Sequence, residues 1–309
     1  MRMHVVDAFA DRPFAGNPAG VCLLPAGEWP EGWMRQVAAE LNLSETAFAR
    51  PSPPGADADW DIRWFTPLVE SRLCGHATLA TAHVLRTERG LLGAVRFRSR
   101  YHGVLVTHAA EHGGITLDFP AARATEVPAP VGLSEALGAE PEATFRSGAL
   151  GDLLTVLPDE SVVRTLTPAL GALATLTDRE DLRAVIVTAP ADAMAGDGVA
   201  HDFVSRFFAP ARGIPEDPVT GSAHTVLAPY WSGRLGRDRL TGIQVSARTG
   251  LVHTVLHGDR VHLTGNAVTV MRGVLEPGGP GVLGPAHPDP ARIHGRQHSE
   301  PVLDRLGSR

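Results

Sequence analysis

A chain of 309 residues is long enough for two domains of ordinary size, each with its own core. Its hydrophobic fraction of 43% beside 20% charged residues is that of a soluble globular protein, and no apolar run approaches a membrane span. A net charge of −6 without a basic cluster argues against nucleic-acid binding, so neither nucleic acid nor membrane is an expected partner. The two cysteines, Cys22 and Cys74, have no metal or redox spacing, which points to a reducing compartment. The N-terminus MRMHVVDAFADRPF is strand-like and lacks the apolar core of a signal peptide, so a cytoplasmic protein is expected.

Residues 3–9 read as a strand, and D-R-P-F-A-G-N-P after them as a turn with three breakers. A short apolar strand follows at 19–24, then a helix from Pro30 with Trp33, Met34, Val37, Ala38 and Leu41 on one face. After LNLSETAFAR come a Pro/Gly/Asp-rich loop at 51–59 and a strand at 61–65. The stretch WFTPLVESRLCGHATLATAH, residues 64–83, breaks a strand at Pro67, carries Glu70 and opens a helix at Gly75-His76-Ala77. That helix is apolar on all sides, the mark of a buried one. Strands at 94–98, 104–108 and 115–119 follow, with Gly turns between them.

PAARATEVPAP, residues 120–130, is the best domain boundary. Short helices at 133–137 and 161–166 lead to strands at 184–188 and 202–208. Then SRFFAPARGIPEDPVTGSAH, residues 205–224, repeats the upstream device. A strand breaks into a loop carrying Glu216 and Asp217, and Thr220-Gly221-Ser222 opens an apolar helix. Strands at 242–247, 251–256, 260–263 and 267–274 complete this half. Two copies of one device, with no short fixed-period repeat, predict a two-domain duplication facing across a cleft rather than a solenoid. The expectation is an α/β (α+β) protein with domains at 1–119 and 120–265, each of strands around one apolar helix. The last strand near 266–275 is free to return to the first domain, and a Gly/Pro-rich tail spans 276–309, wrapped on the surface or mobile.

Several residues are candidates for chemistry. If 43–49 is a strand, Glu45 shares an apolar face with Leu43, Ala47 and Ala49, where its pKa rises and suits an acid or base near neutrality. The bland alternative is an edge-strand glutamate reaching solvent. His76 stands in the first turn of a buried helix, where the dipole disfavours imidazolium and a neutral ring can relay a proton. Its alternative is a core histidine bonded to a backbone carbonyl. Cys74 is either a packed small residue or a thiolate favoured by the same helix start, packing being the expected role. Asp217 with Thr220 or Ser222 either caps the second helix or meets a substrate: Gly221 and Ser222 donate to a carboxylate, and Asp217 accepts from an amine or hydroxyl. Glu70 and Glu216 are expected to be loop charges. His253, His257 and His262 fall in a hairpin that would not form a zinc set. No dinucleotide, P-loop or nucleophile-elbow pattern is present.

At these residues the chain resembles a known family. The stretches V-D-A-F-x-x-x-P-F-x-G-N-P-A-G-V, L-S-E-T-A-F, L-C-G-H-A-T-L-A and R-F-F-A-P-x-x-G-I-x-E-D-P-V-T-G-S-A-H run in order to about Val274. They are similar to those of the PhzF-like phenazine-biosynthesis isomerases. The resemblance implies the diaminopimelate-epimerase-like fold, with two pseudo-symmetric domains, each a curled mixed sheet around a central helix and the active site between them. It also implies no cofactor, no metal and a homodimer. By the same resemblance Glu45 shuttles a proton, His76 and Asp217 hold and polarise the substrate, and Gly75, Gly221 and Ser222 surround its carboxylate. Related epimerases and racemases use two thiols; here Cys74 takes the first position and no cysteine stands around Asp217-Pro218.

The expected function is therefore a cofactor-independent isomerase of a small carboxylate-bearing amino or hydroxy acid, trans-2,3-dihydro-3-hydroxyanthranilate-like. The alternatives are a one-carboxylate epimerase or racemase, and a family member that binds a small acid or a protein without turnover.

Overall fold

The computed structural model describes residues 1–110, 113–148, 150–192 and 199–276, so the tail expected at 277–309 lies outside the described residues. The chain begins with the antiparallel pair β1 (Arg2–Ala8) and β2 (Asn17–Leu23). Helix α1 (Glu31–Leu41) crosses to β3 (Glu45–Pro51), parallel to β2. Strand β4 (Trp60–Phe65) runs antiparallel to β3 and folds back as the two-residue strand β5 (Glu70–Ser71). Helix α2 (Gly75–Arg89) then returns the chain to β6 (Val95–Ser99), parallel to β4, and β7 (Gly103–Ala109) and β8 (Ile115–Pro120) extend the sheet antiparallel.

The second half repeats this plan. Strand β9 (Ala124–Val127) and helix α3 (Leu133–Leu137) precede β10 (Ala143–Ser147), which pairs with β9 and with β11 (Asp152–Val156). Helices α4 (Glu160–Thr165) and α5 (Leu170–Arg179) cross to β12 (Ala184–Pro190), parallel to β11. Strand β13 (Phe203–Ala209) folds back through a short 3₁₀ turn as β14 (Ile214–Asp217). Helix α6 (Gly221–Leu235) follows, then β15 (Arg239–Gln244) parallel to β13, β16 (Gly250–His257) and β17 (Arg260–Gly265). Finally β18 (Ala267–Val274) pairs with β1.

The pairing order is symmetric. It runs β18, β1, β2, β3, β4, β6, β7, β8 in one direction and β9, β10, β11, β12, β13, β15, β16, β17 in the other, joined at the antiparallel seam of β8 and β17. Each half curls around its own helix. Ten residues of α2 are buried, including Leu79, Val84 and Leu85, because charged side chains are confined to its last turns. Both central helices stop at a left-handed glycine, Gly90 and Gly236, whose N–H groups bond the carbonyls four residues back. Inside α6, Pro229 cannot donate to the Thr225 carbonyl, and the Ala122 N–H from the segment after β8 takes that acceptor at 3.0 Å.

The two helices begin against each other. A Cβ on Gly75 would stand 3.3 Å from the Gly221 Cα, and one on Gly221 equally close to the Gly75 Cα. Backbone meets backbone here, which only glycine allows without displacement.

Some elements depart from expectation. Strands β9, β10 and β11 and helix α5 fall outside the expected elements; β11 is buried on both faces and so shows no alternation, whereas α5 has a helical period, with Leu173, Leu176 and Thr177 buried. Asp217 ends a strand rather than lying in a loop. Glu70 and Glu216 are not loop charges. Each takes a two-pronged bond from an arginine on the preceding strand: Arg63 to Glu70 at 2.7 and 2.6 Å, and Arg206 to Glu216 at 2.7 and 2.9 Å. The forked guanidinium staples each fold-back that leads into a central helix.

Candidate active site

Four polar residues meet where α2 and α6 begin. Glu45 opens β3, a strand lying between β2 and β4 rather than at an edge, and is 9% exposed. His76 is the second residue of α2, after the N-cap Cys74. Asp217 ends β14, and Asn17 opens β2; all are buried. Asn17 arrives by a turn that both halves secure. Gly16 has φ +64°, and a Cβ there would strike the Ala8 carbonyl oxygen at 2.2 Å. Arg248, from the segment before β16, donates to the Gly16 carbonyl at 2.9 Å and the Ala15 carbonyl at 3.0 Å. It also pairs at 2.8 Å with buried Asp7, which accepts from the Phe14 N–H.

The Asn17 amide donates to Asp217 Oδ1 and to the Val219 carbonyl, both at 2.8 Å. The same nitrogen is 3.2 Å from His76 Nδ1. With both its protons given to Asp217 and Val219, this nitrogen offers no lone pair to an Nδ1–H, so the network assigns the histidine proton to Nε2. Nε2 is buried, has no hydrogen-bond partner, and lies 3.6 Å from Glu45 Oε2. An unfilled donor beside a buried carboxyl is the arrangement a bound substrate completes. Asp217 accepts from the Thr220 hydroxyl, while Gln244 donates to the Asp217 carbonyl at 2.7 Å and accepts from the Thr220 N–H at 2.8 Å.

Electrostatics sets the protons. Burial, and then the charge of Asp217, push Glu45 up to about 8; hydrogen bonds from Cys74 and Ser71 and the field of Arg183 pull against this. Burial also raises Asp217, less strongly, because Thr220, Asn17 and Arg183 stabilise its charge. Burial lowers His76 to about 3, so its ring is neutral. Burial and the neighbouring Glu45 hold the Cys74 thiol well above its ordinary range; its sulfur is 3.5 Å from His76 Nδ1. Cys74 is a thiol, buried beside both Glu45 and His76.

Glu45, Cys74 and His76 have ligand-type atoms within 4.8 Å of one another, the one such group among the described residues. A metal there would have to displace protons from the thiol and from Glu45, both of which burial holds on. The late histidines pair edge to face, His257 against His262 at 4.6 Å between ring centres, and form no such group among the described residues.

The other expected site residues sit at the helix starts. Gly75 and Gly221 face each other, and the Ser222 hydroxyl accepts from Arg183 at 3.1 Å. Aligning the helix N-caps makes Thr220, rather than residues 217–218, the counterpart of Cys74; the Thr220 hydroxyl turns to Asp217, and the Cys74 sulfur lies against His76. The only other cysteine, Cys22, is buried in β2 with its pKa pushed up to about 12 by burial. Sequence reasoning missed Asn17, Gln244 and Arg183 as site residues. For Asn17 a signal existed, the G-N-P step closing a turn; Gln244 and Arg183 border apolar strands and carry none.

Known proteins match this chain along most of its length. Residues 6–273 fit the family model described as phenazine biosynthesis-like protein. An uncharacterised isomerase of Pseudomonas aeruginosa is 46% identical over 275 residues, covering 88% of this chain and 97% of that protein. The crystal structure of a PhzF-family phenazine biosynthesis protein from Enterococcus faecalis is 39% identical with a TM-score of 0.79, over 88% of this chain and 97% of that one. A hydroxyproline epimerase from Agrobacterium vitis, solved with trans-4-hydroxy-L-proline, shares the fold at 11% identity and a TM-score of 0.53, over 88% and 91% of the two chains. The fold is the diaminopimelate-epimerase-like α/β duplication. The chain belongs to the phenazine biosynthesis-like family. Among the described residues, no helix is long and apolar enough to cross a membrane.

Proposed function

We propose that the protein is a cofactor-independent isomerase that moves a proton between two carbons of a small carboxylate-bearing amino or hydroxy acid, of the class of trans-2,3-dihydro-3-hydroxyanthranilate. One observation carries this reading: Glu45, buried with its pKa raised to about 8, stands 3.6 Å from the unfilled Nε2–H of a neutral histidine. At pH 7 a group with that pKa is ionised in roughly one molecule in ten, and its carboxylate is correspondingly more basic. It takes the proton as a C–H bond of the substrate breaks, and the electron pair passes into the adjoining unsaturated system. His76 Nε2–H stabilises the oxygen or nitrogen on which that charge builds. Asp217, ionised near neutrality, accepts from the substrate amine or hydroxyl. Glu45 then delivers its proton to a second carbon, and the enzyme ends in its starting state. Burial of all three groups keeps water from quenching the intermediate.

Incubation with trans-2,3-dihydro-3-hydroxyanthranilate in deuterated water, followed by NMR, tests the reading. Wild type consumes it and Glu45→Gln does not. Consumption by both removes Glu45 as the shuttle; no consumption by wild type removes this substrate class, and no proton exchange with any small amino acid leaves a binder. A second reading, a one-carboxylate epimerase or racemase, is favoured by Cys74, whose thiol lies within 4.8 Å of the Glu45 carboxyl as a further proton-holding group. Inversion at one carbon, instead of migration between two, would select it.

A further inference from the structure

Glu45 stands 3.6 Å from a neutral His76 that Asn17 links to Asp217, so an organic anion reaching these groups meets negative charge unless a cation answers. The cation within electrostatic reach of both is Arg183, which pulls each carboxyl toward ionisation. Arg183 immediately precedes β12. Its Nε donates at 2.7 Å to one oxygen of Asp152, a fully buried residue of β11, and its Nη2 to the other. The same Nη2 reaches the Ser222 hydroxyl at 3.1 Å, and the guanidinium stands 5.5 Å from the Phe207 ring centre. Nη1 has no hydrogen-bond partner among the described residues, and the side chain is 35% exposed while Asp152 is sealed. The pair is therefore a fixed dipole with its positive end outward and two N–H groups unfilled. Ser222 holds in the second device the place His76 holds in the first, one residue past the glycine contact.

We propose that Arg183 seats the substrate's carboxylate, through the guanidinium edge that Asp152 and Ser222 leave open, and so selects acids over their uncharged analogues. The inference rests on the reading of the site as one for a small acid and names the residue that enforces it. Asp152 is a positioning residue that fixes the plane of the guanidinium, and the Ser222 hydroxyl, which accepts from it, holds Arg183 beside the start of α6 where the carboxylate is expected.

Calorimetric titration decides it, with 2-amino-3-hydroxybenzoate and benzoate as carboxylate probes and 2-aminophenol as the uncharged one. The proteins are wild type, Arg183→Gln, Arg183→Lys and the double variant Asp152→Asn with Arg183→Gln, which leaves no buried carboxylate unpaired. A charge-assisted bond of ordinary strength predicts a loss of about 10- to 100-fold in carboxylate affinity for both Gln-containing variants. Arg183→Lys loses less, and aminophenol binding does not change. Equal losses for charged and uncharged probes, or unaltered carboxylate binding in the double variant, overturn the assignment. Wild-type binding of benzoate alone, lost in the variants, upholds Arg183 and overturns the hydroxyanthranilate-like substrate; a wild type that binds neither carboxylate overturns both.

Discussion

Asn17 and Asp217, 200 positions apart in the chain, share a buried 2.8 Å hydrogen bond, and the nitrogen that makes it also faces His76 at 3.2 Å. One amide thus sets the tautomer of the histidine from the first half and the charge of the aspartate from the second. Asn17→Ala frees the His76 proton to move to Nδ1 and removes a donor that holds Asp217 down. The expected result is a fall in kcat/KM of about 100-fold, the scale of a misplaced catalytic group. The lower break in the rising limb of the pH profile, where Asp217 ionises, moves upward with it. A fall without a shift in that limb would separate Asn17 from Asp217's ionisation.

The ionisation of Glu45 predicts how stability follows pH. Its folded pKa, about 8, lies above the ordinary value of 4.5, so between these values the folded state binds more protons than the unfolded one. The Glu45 contribution to stability therefore falls as pH rises from about 4.5 through 8. Glu45→Gln removes this slope. Thermal melts should coincide near pH 4.5 and diverge above it, with the variant the more stable at pH 8, by about 2–4 °C for each 1 kcal/mol relieved. Parallel melting curves across the range would contradict a buried, protonated Glu45.

Cys74→Ala should retain activity within about tenfold, because the thiol assists Glu45 by one hydrogen bond and is not the proton carrier. Losing the thiol's support of the carboxylate raises the Glu45 pKa further, so the rise of activity with pH, which follows formation of the Glu45 carboxylate, moves to higher pH. Buried and held as a thiol, Cys74 should also resist iodoacetamide at pH 7.5 in the native protein. Mass spectrometry of the alkylated protein checks this, and complete loss of turnover in Cys74→Ala would turn the assignment toward thiol chemistry.

The contact of Gly75 with Gly221 makes a packing prediction. A methyl group on either must push a backbone, so Gly221→Ala should cost about 1–3 kcal/mol despite alanine's better helix propensity. Gly75→Ala and the double variant should be less than additive, since one displaced helix already makes room for the second methyl. Thermal denaturation of the three variants reads this directly.

The parts legible in the sequence were those that repeat or alternate. Gly75-His76 and Gly221-Ser222 stood out because each follows a broken strand and opens an apolar helix, and Glu45 because its face of β3 is otherwise apolar. The bridging residues were hidden for a physical reason: the partners of Asn17 lie 59 and 200 positions away, so no local period records them. Strand β11 was hidden because burial on both faces erases alternation, and with it went Asp152 and the fork it makes with Arg183.

The central claim is that Glu45 holds a proton near neutrality. Carbon-13 NMR of protein labelled at the glutamate side-chain carboxyl, compared with Glu45→Gln to assign the resonance, tests it without any substrate. The account predicts one carboxyl signal titrating near pH 8 and absent from the variant. A Glu45 signal already that of a carboxylate at pH 5 would contradict it.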